Sequence, residues 1–456
     1  DDFGEVSGIE TGLVGGGANI MVTVAGTNVA AVDGSKEIAD LDKDSDTTTK
    51  DGKKDTASDK ITAANSESDT LSSAQSQKKS YTVKDKDGKD TTVQGSGVLG
   101  LDTKEQTTMT STRKVSATNG GDVVGAGVSA TVQGGSLLKA DKGTVSVSTN
   151  ENNQINMNGG SAVAGGASVN GSVGVLSLKH NALTNVTDST ISAKAVNLTS
   201  QLADRQLDQD ENTSHKGSVL NLYQGTAGAI ALGAAYGKVT VNGASGVTVT
   251  DSDLTATGSD IKLTADDSST AAVNAFGLAG GAIAEGLIIT DSNNDSTVYV
   301  KLDSSDLKDG AAAKQLSAAD GIITLAATKQ NKVYSHATGG AAGIVASVGL
   351  KAEATDNGSA KVDINGSKYV LKAPMVAAVA QNSSSADVQA INVAAGMNAI
   401  QRTKAEATEN AQAKLNVADG NTFNADSAFF TAQVGELGLT MANAKVIGVG
   451  LAAELG

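Results

Sequence analysis

Residues 159–200 read GGSAVAGGASVNGSVGVLSLKHNALTNVTDSTISAKAVNLTS, and this stretch decides the fold. It opens with an apolar run of Gly, Ala and Val. Short alternating pieces follow, Ala182 with Val186 and Ile191 with Ala193. It closes on Val196-Asn197-Leu198-Thr199-Ser200. Alternation with a period of two places successive side chains on opposite faces of a strand. One copy therefore reads as a small set of β-strands joined by tight polar turns.

The same order of parts recurs downstream. Each copy carries a pair of β-branched or Leu residues spaced by two: Thr184/Val186, Val239/Val241, Val298/Val300, Val362/Ile364 and Leu415/Val417. The second members lie 55, 59, 64 and 53 residues apart, a loose period of about 58. The Gly/Ala-rich runs GTAGAIALGAAYG, FGLAGGAIAEGLII, GGAAGIVASVGL and INVAAGMNAI precede the later pairs. They lack a polar face, so they are expected to be buried on both sides or covered by another segment. A coil of a parallel β-helix takes roughly 20–25 residues in three short strands. Each repeat would then be two to three coils. About 16–20 coils at about 4.8 Å would give a rod roughly 80–95 Å long.

Composition agrees with strands. Gly is abundant at 53 residues and supplies tight turns, while Pro374 is the only residue able to break a ladder from within. Aromatics make up 2%, so buried area must come from many small side chains stacked in a thin core. Two stretches test helix against strand. In 404–419, KAEATENAQAKLNVAD, the apolar residues all fall on odd numbers, and at Ala352, Ala354, Ala360, Val362 and Ile364 they are all even. That is period two, so both are expected to be strands.

The chain divides into three parts. Residues 1–32 open with solenoid-like sequence, including the alternating Ile20, Val22 and Val24. Residues 33–93 form a polar excursion rich in Asp, Lys, Ser and Thr, with too little apolar area to offset its ordering. Within it, Tyr81-Thr82-Val83 and Thr91-Thr92-Val93 flank Asp87-Gly88, which predicts a hairpin. Residues 94–456 carry the repeats.

These residues resemble a known family. The Gly/Ala run, the N-x-x-V-T-x-S-x-I-x-A pattern and the V-N-L-T-S pattern of 159–200 look like the repeat region of large bacterial filamentous adhesins. The leukotoxin-type filamentous adhesins of anaerobic Gram-negative bacteria are the nearest in style, with filamentous haemagglutinin beyond them. The resemblance covers about 95–456 and, more weakly, 12–32. It implies an all-β fold, a right-handed parallel β-helix (β-solenoid) serving as a shaft. It also implies export through an outer-membrane partner and display at, or release from, the bacterial cell surface. The chain matches neither the family's secretion domain nor its carboxy-terminal anchor, so a fragment or a processed shaft unit is expected.

The function expected is that of a structural or adhesive extracellular surface protein that stacks head to tail into a filament. The ends, Gly12 to Val32 and Val434 to Gly456, are apolar repeat pieces with no polar cap. Uncapped strand edges invite a second copy. Host or bacterial surface receptors are the other partners anticipated. A net charge of −15 with three arginines argues against nucleic acid. No apolar run is long enough for a membrane helix. The absence of cysteine is compatible with an oxidising exterior.

No enzyme is expected, and no catalytic, cofactor-binding or metal-binding residue is assigned. The alternative is a secreted toxin or polysaccharide-active enzyme on a β-helix scaffold. Hydrolases of that kind resemble one another in paired Asp residues and a Gly-His-Gly segment. His180, His215 and His336 have no such neighbours. No cofactor is expected, surface calcium being the one alternative. Asp42, Asp44 and Asp46 begin like a calcium loop but lack the Gly and Glu that complete it. Asp251/Asp253 and Asp291/Asp295 read as turn residues. Tyr223, Tyr236, Tyr299, Tyr334 and Tyr369, spread along the repeats, read as caps on the core, and Phe429 and Phe430 as core.

Overall fold

The computed structural model describes residues 10–24, 27–33, 37–40, 62–64, 79–84, 90–95, 98–106, 126–133, 137–205, 218–305, 307, 310–366, 368–436, 440–450 and 452–455. Among them there is no helix, and nearly all pairing is parallel. Both stretches that set strand period against helix propensity are strand, within Met375–Glu409 and Gln412–Val417 and within Ile322–Asp356 and Ser359–Asn365. Pattern outweighs propensity because the apolar residues of one stretch stack on those of the other: Ala405 on Ala352, Ala407 on Ala354, Leu415 on Val362 and Val417 on Ile364.

The register corrects the expected number of coils. Val32 faces Val132, Val132 faces Val186, Val186 faces Val249, Val249 faces Leu302, Leu302 faces Ile364 and Ile364 faces Val417. From Val132 onward the steps are 54, 63, 53, 62 and 53 residues. The sequence repeat is therefore one layer of strands and not two or three. Seven levels at about 4.8 Å span about 30 Å, in place of the 80–95 Å anticipated. Two of the pairs picked from sequence were also out of register. Val239/Val241 stack on Leu176/Leu178, and the layer partners of Val362/Ile364 are Val300/Leu302.

A layer can hold so many residues because it encloses two cores. Val247, Val249, Leu254, Ala256, Ile261, Leu263 and Ala265 belong to the first. The chain then crosses a polar strip at Asp267, Ser269 and Thr270, all buried. Ala271, Val273, Ala275, Ala279, Ala284 and Ile288 line the second core. The chain recrosses through Thr290, Ser292, Asn294 and Ser296, again buried, and Val298 returns to the first. Each lobe alone has the size expected of one coil, which is why spacing by itself misleads.

The two crossings face each other in a waist held by hydrogen bonds. Asp267 accepts from the Ser269 amide and hydroxyl, from Ser296 Oγ at 2.5 Å and from Asn331 Nδ2 at 3.1 Å. Lys329 Nζ lies 3.3 Å from Asp356 Oδ1, both side chains fully buried, and Asp356 also accepts from the Gly358 amide. One layer on, Asn382 Nδ2 donates to the carbonyls of Gly358 and Gln412, and Ser384 Oγ donates to Glu409. Buried charge persists only when it is compensated: Asp356 has the Lys329 ammonium, and Asp267 has four hydrogen bonds from the waist, although Asp356 Oδ2, Asn331 Oδ1 and Asn382 Oδ1 are buried without a hydrogen-bond partner.

The tip of the second lobe turns on a column of glycines. A Cβ on Gly228 would collide with the Gly165 carbonyl oxygen. One on Gly281 would strike that of Gly228, one on Gly343 that of Gly281, and one on Gly396 that of Gly343. Any side chain would force the layers apart at the bend. In the first lobe, Pro374 sits between Tyr369–Lys372 and Met375–Glu409, outside the ladders, and its carbonyl accepts from the Asp426 and Ser427 amides.

The predicted hairpin is present: Lys79–Lys84 pairs antiparallel with Asp90–Gly95, with Tyr81 opposite Val93. Its turn, 85–89, lies outside the described residues. Two other pairings in this part are antiparallel, Thr62–Ala64 on Thr27–Asp33 and Val98–Gln106 on Leu137–Thr187. Parallel stacking therefore does not resume directly after Gly95, as the sequence had suggested.

Candidate binding groove

Outward positions of the strands over the second core stack as well. Asn221 faces Asn274, Asn274 faces His336 and His336 faces Gln389. Two residues on, Tyr223 faces Phe276 and Phe276 faces Thr338. These side chains line a shallow groove of about 180 Å³. Tyr223 is 37% exposed and Phe276 39%, so two aromatic faces lie beside a row of amides and an imidazole. Asn274 Nδ2 donates to Asn221 Oδ1 at 3.0 Å, joining two layers.

Burial holds the His336 imidazole below its ordinary range, and the Asp387 carboxylate, 3.9 Å away, only partly offsets this. Tyr334 meets His336 edge to face, with centroids 6.4 Å apart. Its phenol is pushed up, chiefly by burial and also by Asp387. The groove thus presents neutral donors and acceptors with one carboxylate at its border. That chemistry can hold a small polar ligand against an aromatic face. A neutral His near a single Asp is not the pair of carboxylates that glycoside hydrolysis uses.

The remaining candidates are structural where they are described. Asp251 has a positive φ of 47°, as a turn aspartate can. Asp253 Oδ1 accepts from the Gln315 amide at 2.7 Å, and Asp291 pairs with Lys238 at 3.0 Å. Asp295 Oδ1 accepts from Asn357 Nδ2 at 2.8 Å. These carboxylates tie one layer to the next, and among the described residues no three potential ligands converge on a metal position. Asp42, Asp44, Asp46 and His215 lie outside the described residues, as does the side chain of His180.

Tyr369 caps the first core as expected. It is fully buried, and its hydroxyl donates to the Val249 carbonyl at 3.1 Å. Tyr223 instead looks outward. Phe429 and Phe430 are 53% and 42% exposed, against the expectation of core. Phe430 continues the inward column Leu263, Leu325 and Ala378, but it belongs to the last layer described and has strand on one side only. The Gly/Ala-rich runs also depart from expectation. Leu278, Ile283, Leu287, Ile344 and Met397 are 46–57% exposed, not buried on both faces.

The groove was missed in the sequence because Asn221, Asn274, His336 and Gln389 come together only when the alternating steps of 53, 62 and 53 residues are known. No family model, curated protein or solved structure matches this chain.

Proposed function

We propose that this chain is a rigid, right-handed β-solenoid shaft. In this reading it is a structural or adhesive component of a bacterial surface, exported from the cell and stacked head to tail into an extracellular filament. The observation that carries the reading is the unbroken stack of layers, in which Val132, Val186, Val249, Leu302, Ile364 and Val417 lie one above another in parallel register. Gln412–Val417, Thr422–Asn424, Ser427–Glu436 and Met441–Val449 each pair with the preceding layer alone. In this reading a layer from a second copy would continue the same ladder and cover Phe430, Val434 and Val449. Parallel pairing from Val132 to Val417, layer on layer, supplies the stiffness a shaft needs. Receptor contact would fall to outward features such as the groove at Asn274 and His336. The enzymatic alternative has less support, since the groove brings a single carboxylate, Asp387, near His336.

Electron microscopy of the purified chain tests this reading. Filaments of uniform width with an axial repeat near 4.8 Å are expected. Phe430→Asp should shorten them by placing a charge on the stacking face. A chain that stays as discrete particles at every concentration sinks the proposal.

A further inference from the structure

The waist holds one pair that its hydrogen bonds do not settle. Lys329 Nζ and Asp356 Oδ1 lie 3.3 Å apart, and both side chains are fully buried. An ammonium carries three donors, yet among the described residues Lys329 Nζ has this one acceptor. Asp356 Oδ1 also accepts from the Gly358 amide at 2.8 Å, while Asp356 Oδ2 is buried without a partner. A buried ion pair repays its desolvation only when its remaining donors and lone pairs are satisfied. Here two donors of the lysine and a whole oxygen of the aspartate are left over.

The surroundings single out this layer. Lys329 stacks between Asp267 and Asn382, and Asp356 between Asn294 and Glu409. Among the described residues, Lys329 is the one fully buried lysine, so only this layer sets an amine against a carboxylate across the waist. Gly358 makes the room for it, since a Cβ there would collide with Lys329 Cε and Nζ.

We propose that Lys329 and Asp356 condense into an amide, an intramolecular isopeptide crosslink across the waist. One Nζ proton passes to the carboxylate, leaving an amine beside a carboxylic acid. The Nζ lone pair attacks Cγ and the Nζ–Cγ bond forms. A second Nζ proton joins the departing hydroxyl, the Cγ–Oδ2 bond breaks, and Oδ2 leaves as water. Nζ keeps one proton, and Oδ1 remains as the amide carbonyl. No oxidant, reductant or further reactant is consumed. The product removes both charges and the unpartnered oxygen, and it keeps the hydrogen bond from the Gly358 amide to Oδ1. Groups held in contact can react at effective concentrations of about 10⁵–10⁸ M, and a site without water does not favour the separated ions.

The two residues are 27 apart in the chain. The span between them runs around the second core, through Val333, Ala337, Ala346 and Leu350, and back. The link therefore ties one layer of the second lobe into a closed ring, constraining the unfolded chain as a disulfide does. Neither export nor stacking into a filament is needed for it, so it stands or falls separately from the shaft.

Mass spectrometry of the denatured wild-type chain tests the bond directly. The intact mass should fall below the sequence mass by one water. Trypsin should not cut after Lys329, and residues 315–332 should emerge joined to 352–361. Lys329→Arg keeps the charge but cannot form the link, so it should show its full sequence mass and release 352–361 free. The wild-type result is read on the native chain and does not depend on how well that variant folds. Lys238 and Asp291 lie closer, at 3.0 Å, but both are part-exposed, and trypsin should cut after Lys238 with no joined product. A wild-type chain at its full sequence mass overturns the proposal. So does a deficit of one water with 315–329 released free, which would place the dehydration within the aspartate and its own backbone.

Discussion

The two lobes are built from the same chain in the same register, yet they solve burial differently. Among the described residues, alanine supplies 9 of the 32 buried residues of the first core and 14 of the 25 in the second. Leu, Ile and Val fill the first, and its outer face is polar. The second is thin and closes on a column of glycines, and it leaves its aliphatic side chains outside. Of the large apolar residues exposed before the last layer, among the described residues, all but Ile322 lie on the second lobe. A lobe that packs with small side chains must bring strands close. Its larger residues have no room inside, and they become surface.

The largest test of that contrast compares two glycines at bends. Gly281→Val pushes a side chain into the Gly228 carbonyl. It should cost on the order of 5 kcal/mol, enough to abolish cooperative melting of the second lobe. Gly258, at a bend of the first lobe, has only the aliphatic part of Lys194 near its missing Cβ, at 3.4 Å. Gly258→Ala should leave the thermal midpoint nearly unchanged. Equal losses in calorimetry would mean that the glycine column is not what closes the second lobe.

The waist decides whether the lobes behave as one body. Lys329→Met leaves Asp356 buried with its charge unpaired, at a cost of about 3–5 kcal/mol. Because the pair bridges opposite crossings, the lobes should then melt in separate transitions. Adding Asp356→Leu removes the lone charge and should restore part of the stability, though the Gly358 amide loses its acceptor. A single sharp transition in the Lys329→Met variant would show that the ladders alone couple the lobes.

Deletions inside the cores sharpen the comparison at smaller cost. Leu263 and Leu350 are both buried, one in each lobe. Leu→Ala costs about 2–5 kcal/mol depending on how far the site can collapse. Leu263→Ala, among large aliphatics fixed by neighbouring layers, should lie near the upper half of that range. Leu350→Ala, in the thinner lobe beside Gly339, should lie nearer about 2 kcal/mol. Urea denaturation of the two variants measures the difference.

Much of this was legible in the residues. Alternation at Ala352 to Ile364 and at 405–417 fixed strand over helix, and Asp87-Gly88 located the hairpin. What could not be read was how a repeat closes. A spacing of about 58 residues is compatible with two coils or with one two-lobed layer, because turns leave no count of how often the chain crosses itself. The residues that settle it are Asp267, Asn294, Lys329 and Asp356. In the sequence they pass for surface polar residues interrupting apolar strands, and only burial reveals them as a waist. The most regular marker was likewise inconspicuous. Gly228, Gly281, Gly343 and Gly396 recur at the register steps of 53, 62 and 53 residues, hidden among many other glycines.

The smallest expected effect concerns the outer face of the second lobe, where His336 titrates in the groove. Burial lowers its folded-state pKa below the ordinary 6.5, with Asp387 opposing. The unfolded chain then binds a proton more readily than the folded one. Stability is complete above the unfolded value and declines as pH falls from about 6.5 toward the lowered folded value. A His336→Gln variant should lose that slope while retaining the polar row with Asn274 and Gln389. Thermal midpoints of the two proteins should therefore lie close together at neutral pH and separate on acidification, the wild type falling below the variant. If Asp387 instead governed the site, His336 would be stabilised in its charged form and the slope would reverse. The sign of the difference thus reports whether the groove is a buried, neutral surface or an ion pair, and so whether it is suited to an uncharged ligand.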